Sequence, residues 1–182
     1  MEHEQAQAPS TMEKCIQLAL QGHAQAVECF MLIRDVLHFW DDLIDGDVAV
    51  TNEYINRSMF KAMVDLPSNS FYREHQSKIA PIMVNAFANW HAATCFERGD
   101  DLRLLEVAFV IRSDYANLLI HFAYLIGGYQ WVTRITPMIR GMWTDENFDA
   151  YLIGLEREQA ARRDMAAREA ASQPDPAVLQ EQ

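Results

Sequence analysis

The chain has 182 residues, of which 50% are hydrophobic and 23% are charged, and this composition excludes a disordered chain. A chain of this length can bury a core of its own within one domain. The formal net charge of −11 would repel the phosphates of nucleic acids and anionic lipids, so we expect neither nucleic acid nor membrane as a partner.

The cysteines and the first residues of the chain bear on its compartment. Cys15, Cys29 and Cys95 are an odd, widely spaced set without a C-x-x-C pair, which predicts free and buried thiols in a reducing environment. The first ten residues are polar and acidic, unlike a secretory signal, and the apolar stretch 118–129 is too short to cross a bilayer. We therefore expect an intracellular, cytoplasmic protein.

Apolar residues recur at spacings of three and four along the first quarter of the chain, which indicates helices. The first helix is predicted to begin at Ser10 or Thr11 and to run through Gly22 into a second helix over Ala24–Asp45. Thr51 is predicted to cap a third helix over 52–66, which Pro67 would end.

Further helices are predicted over the rest of the chain. One extends over 71–98 with a break or kink at Pro81, and a long apolar one reaches Leu125 from a cap at Asp100 or Asp101. Gly127 and Gly128 should interrupt the helical pattern, and Pro137 should break the segment that follows. A last helix opens at 144–147.

These elements predict an all-α fold, an antiparallel helical bundle of about six helices with a projecting charged C-terminal helix. We divide the chain into a polar N-terminal arm over 1–9, the helical bundle domain over 10–155, and the charged C-terminal helix with a loose tail over 156–182.

One group of acidic residues invites a metal hypothesis. His38, Asp41, Asp42 and Asp45 form one stripe in the last turns of the second predicted helix. Aspartates there face the negative end of the helix dipole, at a cost of roughly 0.3–1 kcal/mol each, so something should compensate them. A divalent cation such as Mg²⁺ would do so, because it prefers carboxylate oxygens, and nearby arginines would also do so. The alternative is a structural turn that is exposed to water.

The run Asp41-Asp42-Leu43-Ile44-Asp45 has the form D-D-x-x-D and resembles the first aspartate-rich motif of class I isoprenoid (terpenoid) synthases. This resemblance implies an all-helical enzyme in which the three aspartates hold Mg²⁺ against a substrate diphosphate. The family's second motif, N-D-x-x-S-x-x-x-E, is matched poorly by 113–121. Asp114 stands in the Asp position there, but Ser113, Asn117 and His121 replace the expected ligands.

Polar side chains also lie along otherwise apolar helices, and they predict an interior polar site. Because an unpaired buried polar group costs a few kcal/mol, such side chains should meet one another or line a wet cavity. The alternative for each of them is a packing residue whose hydrogen bonds are satisfied locally. The candidates are His38, Asn85, Asn89, Ser113, Asp114, Asn117 and His121.

Two functions from different classes follow. The first is a non-enzymatic helical interaction or assembly protein that binds a protein partner or a second copy of itself. It is supported by the acidic net charge and by aromatic segments expected at the surface, namely Phe71-Tyr72, Trp131, Trp143 and Tyr151. The alternative is a Mg²⁺-dependent enzyme that acts on a diphosphate or nucleotide through the aspartate cluster. The stretch 38–47 also resembles small helical phage and prophage proteins of uncharacterised role, which favours the first function.

Overall fold

The computed structural model describes residues 11–45, 48–112, 114–142 and 147–172. Every regular element in these ranges is a helix, and this confirms the predicted all-α fold. A π-helical turn, Lys61–Asp65, lies between α3 and α4. The helices are α1 (Thr11–Ala19), α2 (Ala24–Asp45), α3 (Asn52–Phe60), α4 (Leu66–Ser68), α5 (Ser70–Phe96), α6 (Leu102–Ile111), α7 (Asp114–Met142) and α8 (Phe148–Ser172).

The junction between α1 and α2 differs from the prediction of a continuous run. α1 ends at Ala19, and Gln21 and Gly22 both adopt positive φ, at 52° and 68°. Two successive residues in the left-handed region end a helix, because right-handed helical geometry cannot continue through them. α2 then covers the predicted range Ala24–Asp45.

Two prolines, one expected to end a helix and one expected to break or kink it, both lie within helical segments. Thr51 caps α3 as predicted, since its Oγ1 accepts a hydrogen bond from the Tyr54 amide over 3.2 Å. Pro67 does not end this segment at Leu66 as predicted, because the helical residues continue to Ser68. α5 likewise continues through Pro81. Its first turn is capped by Asn69.

α2 and the segment from α3 to α4 run antiparallel. The Tyr54 hydroxyl donates to Asp42 Oδ2 over 2.9 Å near one end, and Asn69 Nδ2 donates to Glu28 Oε2 over 3.1 Å near the other. Residue numbers therefore decrease along α2 in the direction in which they increase along the segment from α3 to α4. This pairing fixes the C-terminal turn of α2, which carries the aspartates, against α3.

The apolar helix predicted to reach Leu125 is in fact two helices. Asp101 caps the first, as expected, by accepting from the backbone amides of Arg103 and Leu104. That helix, α6, ends at Ile111, and α7 begins at Asp114. Both α6 and α7 contact α5.

α7 consists of two arms that fold back on each other at Gly128. This residue has φ 67° and ψ −166°, a conformation that is essentially restricted to glycine. Arg140 donates to the Asn117 side chain, although residues 23 apart in a straight helix would be separated by about 35 Å. The break predicted at the two glycines is thus confirmed, whereas Pro137 lies inside the second arm without ending it.

The first arm of α7 packs with α1, α2 and α5 around the core. Trp131, on the second arm, donates its indole N–H to the Ala19 carbonyl over 2.8 Å and so caps the end of α1. A Cβ on Gly127 would lie 2.5 Å from the Trp131 side chain, so the close approach of these residues requires glycine. The largest fully buried side chains are Phe30, Phe122, Ile16, Leu20, Ile33, Ile79, Leu118, Leu119, Ile139 and Cys29.

Several aromatic residues expected at the surface are packed inward. Phe71 is buried in the core, and Tyr72, Trp131 and Tyr151 are half-buried, because each lies on a helix face that meets another helix; Trp143 lies outside the described residues. Cys95 differs in the opposite sense, since it is exposed while Cys15 and Cys29 are buried. None of the described helices is long and apolar enough to cross a membrane.

Candidate functional sites

Asp41, the first aspartate of the cluster, points at two donors from distant parts of the chain. Trp90 Nε1 donates to Asp41 Oδ1 over 2.6 Å, and Arg112 Nη2 donates to the same oxygen over 3.3 Å. The compensation that the helix dipole requires is therefore supplied from α5 and from the end of α6. Asp41 thus links three helices.

Arg112 also pairs with a buried glutamate that the sequence did not mark out. Its Nη1 lies 2.8 Å from Glu97 Oε1, and the Glu97 side chain is only 6% exposed. The Tyr151 hydroxyl donates to the same Glu97 oxygen. Burial, together with this bond to Glu97, raises the pKa of Tyr151 far above its ordinary value. The network thereby connects α2, α5, α6 and α8.

The remaining residues of the predicted metal stripe have separate surroundings. Asp42 accepts from Tyr54, and the His38 ring is stacked on Tyr115 with centroids 5.3 Å apart. The side chain of Asp45 lies outside the described residues. Within the described part of the chain, no group of three or more His, Cys, Asp or Glu side chains is arranged to hold a metal ion. Magnesium binding by the three aspartates stays a prediction.

Beside this network lies a small apolar cavity between Trp40, Trp90, Arg112 and Tyr115. Its volume is about 30 Å³, which is room for about two water molecules. A diphosphate would not fit in it. Burial raises the pKa of Tyr115 well above its ordinary value, and the nearby Asp41 carboxylate adds to this shift.

Four of the predicted interior polar residues do meet. Asn85 and Asn89 lie one turn apart on α5, Asn117 and His121 lie one turn apart on the first arm of α7, and all four line one cavity. Its volume is about 520 Å³, within the usual range of about 300–1,000 Å³ for small-molecule sites. The other lining residues are Ile82, Ile120, Tyr124 and Val132.

This cavity does not include the aspartate stripe. His38 lies with Tyr115 instead. Ser113 and the side chain of Asp114 lie outside the described residues. The polar stripes of α5 and α7 therefore share one cavity, which lies at a different place from the carboxylates of Asp41 and Asp42.

His121 gives the cavity its only ionisable imidazole among the described lining residues. Burial lowers its pKa, and a hydrogen bond between its ring and the Lys78 backbone opposes this only in part. Its Nε2 is buried and has no hydrogen-bond partner within the described part of the molecule. At neutral pH the imidazole is therefore uncharged.

A second candidate site is an exposed apolar surface, here called the α3 face and made of Met59, Phe60, Met63 and Val64. These residues occupy the last turn of α3 and the π-helical turn. Phe60 is 57% exposed and Met63 is 69% exposed. Sequence reasoning missed this surface, although its spacing of one, three and four residues on a helix was a signal that could have found it.

The α3 face is held in place from its inner side. Lys61, in the π-helical turn, forms an ion pair with Asp35 of α2 over 2.5 Å, and Ser58 is buried beneath α3. π-Helical turns are rare and occur frequently at functional sites. At the neighbouring end of α2, Leu43 and Ile44 are also about half exposed.

A scan against protein-family models found no match for this chain, and comparisons with curated proteins and with solved structures found none either. The resemblances to isoprenoid synthases and to phage proteins therefore stay predictions. Function has to be argued from the geometry of the two candidate sites and of the aspartate network.

Proposed function

We propose that the protein is a non-enzymatic helical interaction or assembly protein, and that its α3 face binds the same face of a second copy. The observation that carries this proposal is the row of exposed apolar side chains on α3 and the π-helical turn, Phe60 and Met63 above all. Apolar surface of this kind, concentrated on one helix face, is typical of protein-binding surfaces. Methionine adds to this, since its flexible side chain adapts to a partner.

The charges beside the α3 face favour a second copy over an unrelated partner. Arg57 and Asp65 lie four residues on either side of Lys61. If two copies of this helix pair antiparallel about a twofold axis level with Lys61 along the chain, Arg57 of each copy lies level with Asp65 of the other, at the edge of the contact. The same register places Met59 opposite Met63. A surface that complements itself in both charge and apolar contact suits an isologous dimer.

The magnesium-dependent alternative is less well supported. Asp41 and Asp42 already accept hydrogen bonds from Trp90, Arg112 and Tyr54. A metal ion would have to compete with these donors, one of which carries a positive charge. These contacts give the aspartates a role in joining helices, so we place the interaction function first.

Sedimentation velocity of the purified chain at increasing concentration tests the proposal. We expect a monomer–dimer equilibrium in the wild-type protein and a monomer in Met63→Glu, because the introduced carboxylate would be buried without a partner. Val84→Glu is the matched control, since Val84 on α5 is 67% exposed against 69% for Met63. We expect it to dimerise like the wild type.

A charge exchange tests the proposed register. Arg57→Glu should weaken the dimer through like-charge repulsion with Asp65, and the double variant Arg57→Glu/Asp65→Arg should restore it. Each chain carries a net charge of −11, so added salt should strengthen association by screening the repulsion between copies. A wild-type protein that stays monomeric at all concentrations and salt levels would refute the proposal, as would dimers that Met63→Glu leaves intact.

A further inference from the structure

The cavity between α5 and α7 has two matched pairs of polar side chains on facing helices. Asn85 and Asn89 are on α5, and Asn117 and His121 are on the first arm of α7. Arg140, from the second arm, donates to the Asn117 amide and so helps to fix its orientation. The hairpin at Gly128 thus supplies both a wall of the cavity, through Val132, and a support for one of its amides. This site shares no residue with the α3 face.

The charge of the cavity limits the ligands that it can hold. None of its eight lining residues is an aspartate, glutamate, lysine or arginine. His121, the one lining residue that titrates near neutrality, is kept neutral by its burial, which lowers its pKa. The guanidinium of Arg140, just outside the lining, already donates to Asn117, so an anion would have to compete with that amide to recover the cost of its lost hydration. A neutral polar ligand would not meet this penalty.

The polar groups of the cavity define the hydrogen-bonding pattern of such a ligand. A carboxamide carries a donor and an acceptor on neighbouring atoms, so it pairs with a molecule that presents an acceptor and a donor side by side in one plane. The edge of a nucleobase has this pattern, and asparagine pairs with adenine in this bidentate way. Ile82 and Ile120 add apolar surface to the wall, and Tyr124 adds an aromatic ring. Flat rings stack on such surfaces.

From this combination of volume, neutrality and paired carboxamides, we infer that the α5–α7 cavity binds a neutral planar molecule with an adjacent hydrogen-bond donor and acceptor, of the nucleobase or aromatic carboxamide class. Asn89, which is only partly exposed, holds the polar edge from α5, and Asn117, already bonded to Arg140, lines the opposite wall. The apolar residues and Tyr124 hold the ring. A ligand-binding site of this kind goes beyond the proposed self-association.

Titration calorimetry on the full chain tests the inference, with adenine, cytosine, uracil, adenosine and nicotinamide as probes. We expect at least one probe to bind with a dissociation constant below about 1 mM. Comparison of the bases with nicotinamide then distinguishes a nucleobase ligand from an aromatic carboxamide ligand. Adenosine monophosphate should bind more weakly than adenosine, because none of the lining residues carries a charge and Arg140 is already bonded to Asn117. Tighter binding of the monophosphate would overturn the assignment of a neutral site.

Two isosteric variants localise the binding. Asn89→Leu removes a carboxamide from the cavity, and we expect it to weaken binding at least tenfold. Gln76→Met removes an exposed carboxamide from the same helix, outside the cavity, and should leave the affinity unchanged. If Asn89→Leu does not fold, the side-chain amide NMR signals of Asn85 and Asn117 in the wild-type protein should shift on titration. Absence of binding by every probe, or equal binding by Asn89→Leu, would refute the inference.

Discussion

Removal of Arg112 should destabilise the fold strongly, because this residue holds two carboxylates of unequal exposure. Its guanidinium contacts Glu97 over 2.8 Å and Asp41 over 3.3 Å, and the two carboxylate side chains are 6% and 34% exposed. Breaking a buried ion pair by removing one partner costs about 3–5 kcal/mol, since an uncompensated charge remains. Water can solvate Asp41 after the change, so most of the loss should come from Glu97.

For Arg112→Met we therefore expect a loss of about 3 kcal/mol in the free energy of unfolding, at the lower end of that range, since Arg112 itself is 22% exposed. In a chain of this size such a loss lowers the melting temperature by about 6–12 °C. Urea unfolding followed by circular dichroism would measure it. Arg103→Met, an exposed arginine on the same helix, is the control and should change stability by less than about 0.5 kcal/mol.

The double variant Arg112→Met/Glu97→Gln separates charge from packing. If the uncompensated Glu97 carboxylate causes the loss, neutralising it should recover a large part of the stability, because the side-chain amide that Glu97→Gln introduces can still accept a hydrogen bond from Tyr151. The reasoning would be refuted if Arg112→Met costs less than about 1 kcal/mol, or if Glu97→Gln in that background lowers stability further.

Three further predictions concern the backbone, the thiols and the alkaline limit of stability. Gly128→Ala should cost about 1–3 kcal/mol in thermal unfolding, because φ 67° and ψ −166° exclude a Cβ, whereas Gly154→Ala, a helical position with no neighbour near its Cβ, should be neutral or stabilising. A thiol reagent should modify exposed Cys95 rapidly and spare Cys29, whose pKa burial raises to about 12; equal rates at both would contradict the packing. Tyr151 has a pKa raised above its ordinary 10.0, so the folded state keeps this proton longer and stability should fall as the pH rises above about 10; Tyr151→Phe should flatten that dependence in urea titrations at about pH 9 and 11.

Features of the fold that depend on neighbouring residues could be predicted from the sequence. Thr51 and Asp101 cap helices because their side-chain oxygens reach backbone amides two or three residues ahead. Gly128 interrupts α7 because only glycine adopts its conformation readily. The helix end predicted before Pro67 lies two residues too early, and the predicted alternative of a break at Pro81 is wrong, since α5 continues through it. The effect of a proline depends on whether its missing N–H was needed and on how strongly the surrounding helix is packed, and neither property is visible locally.

Some contacts between residues far apart in the sequence could be predicted from the spacing of polar residues, and others could not. The α5–α7 cavity could be anticipated, because pairs of polar side chains one turn apart on two apolar helices need polar partners. An arginine beside Asp41 was one of the predicted alternatives, but the contacts with Trp90 and Arg112 could not be predicted from spacing, since these residues lie 49 and 71 positions away. Glu97 was missed for the same reason. The α3 face was missed because exposure depends on which side of a helix the neighbouring helices cover.

The two proposals rest on different physical interactions, and this makes their tests independent. Association through the α3 face depends on apolar burial between two acidic chains, so it should strengthen with salt. Binding in the cavity depends on hydrogen bonds between neutral groups, so salt should change it little. Met63→Glu should leave probe binding unchanged, and Asn89→Leu should leave the oligomeric state unchanged. If either variant altered both properties, the two sites would be coupled. Thermodynamic linkage would then require a bound probe to change the dimerisation constant by the same factor by which dimerisation changes the affinity for the probe.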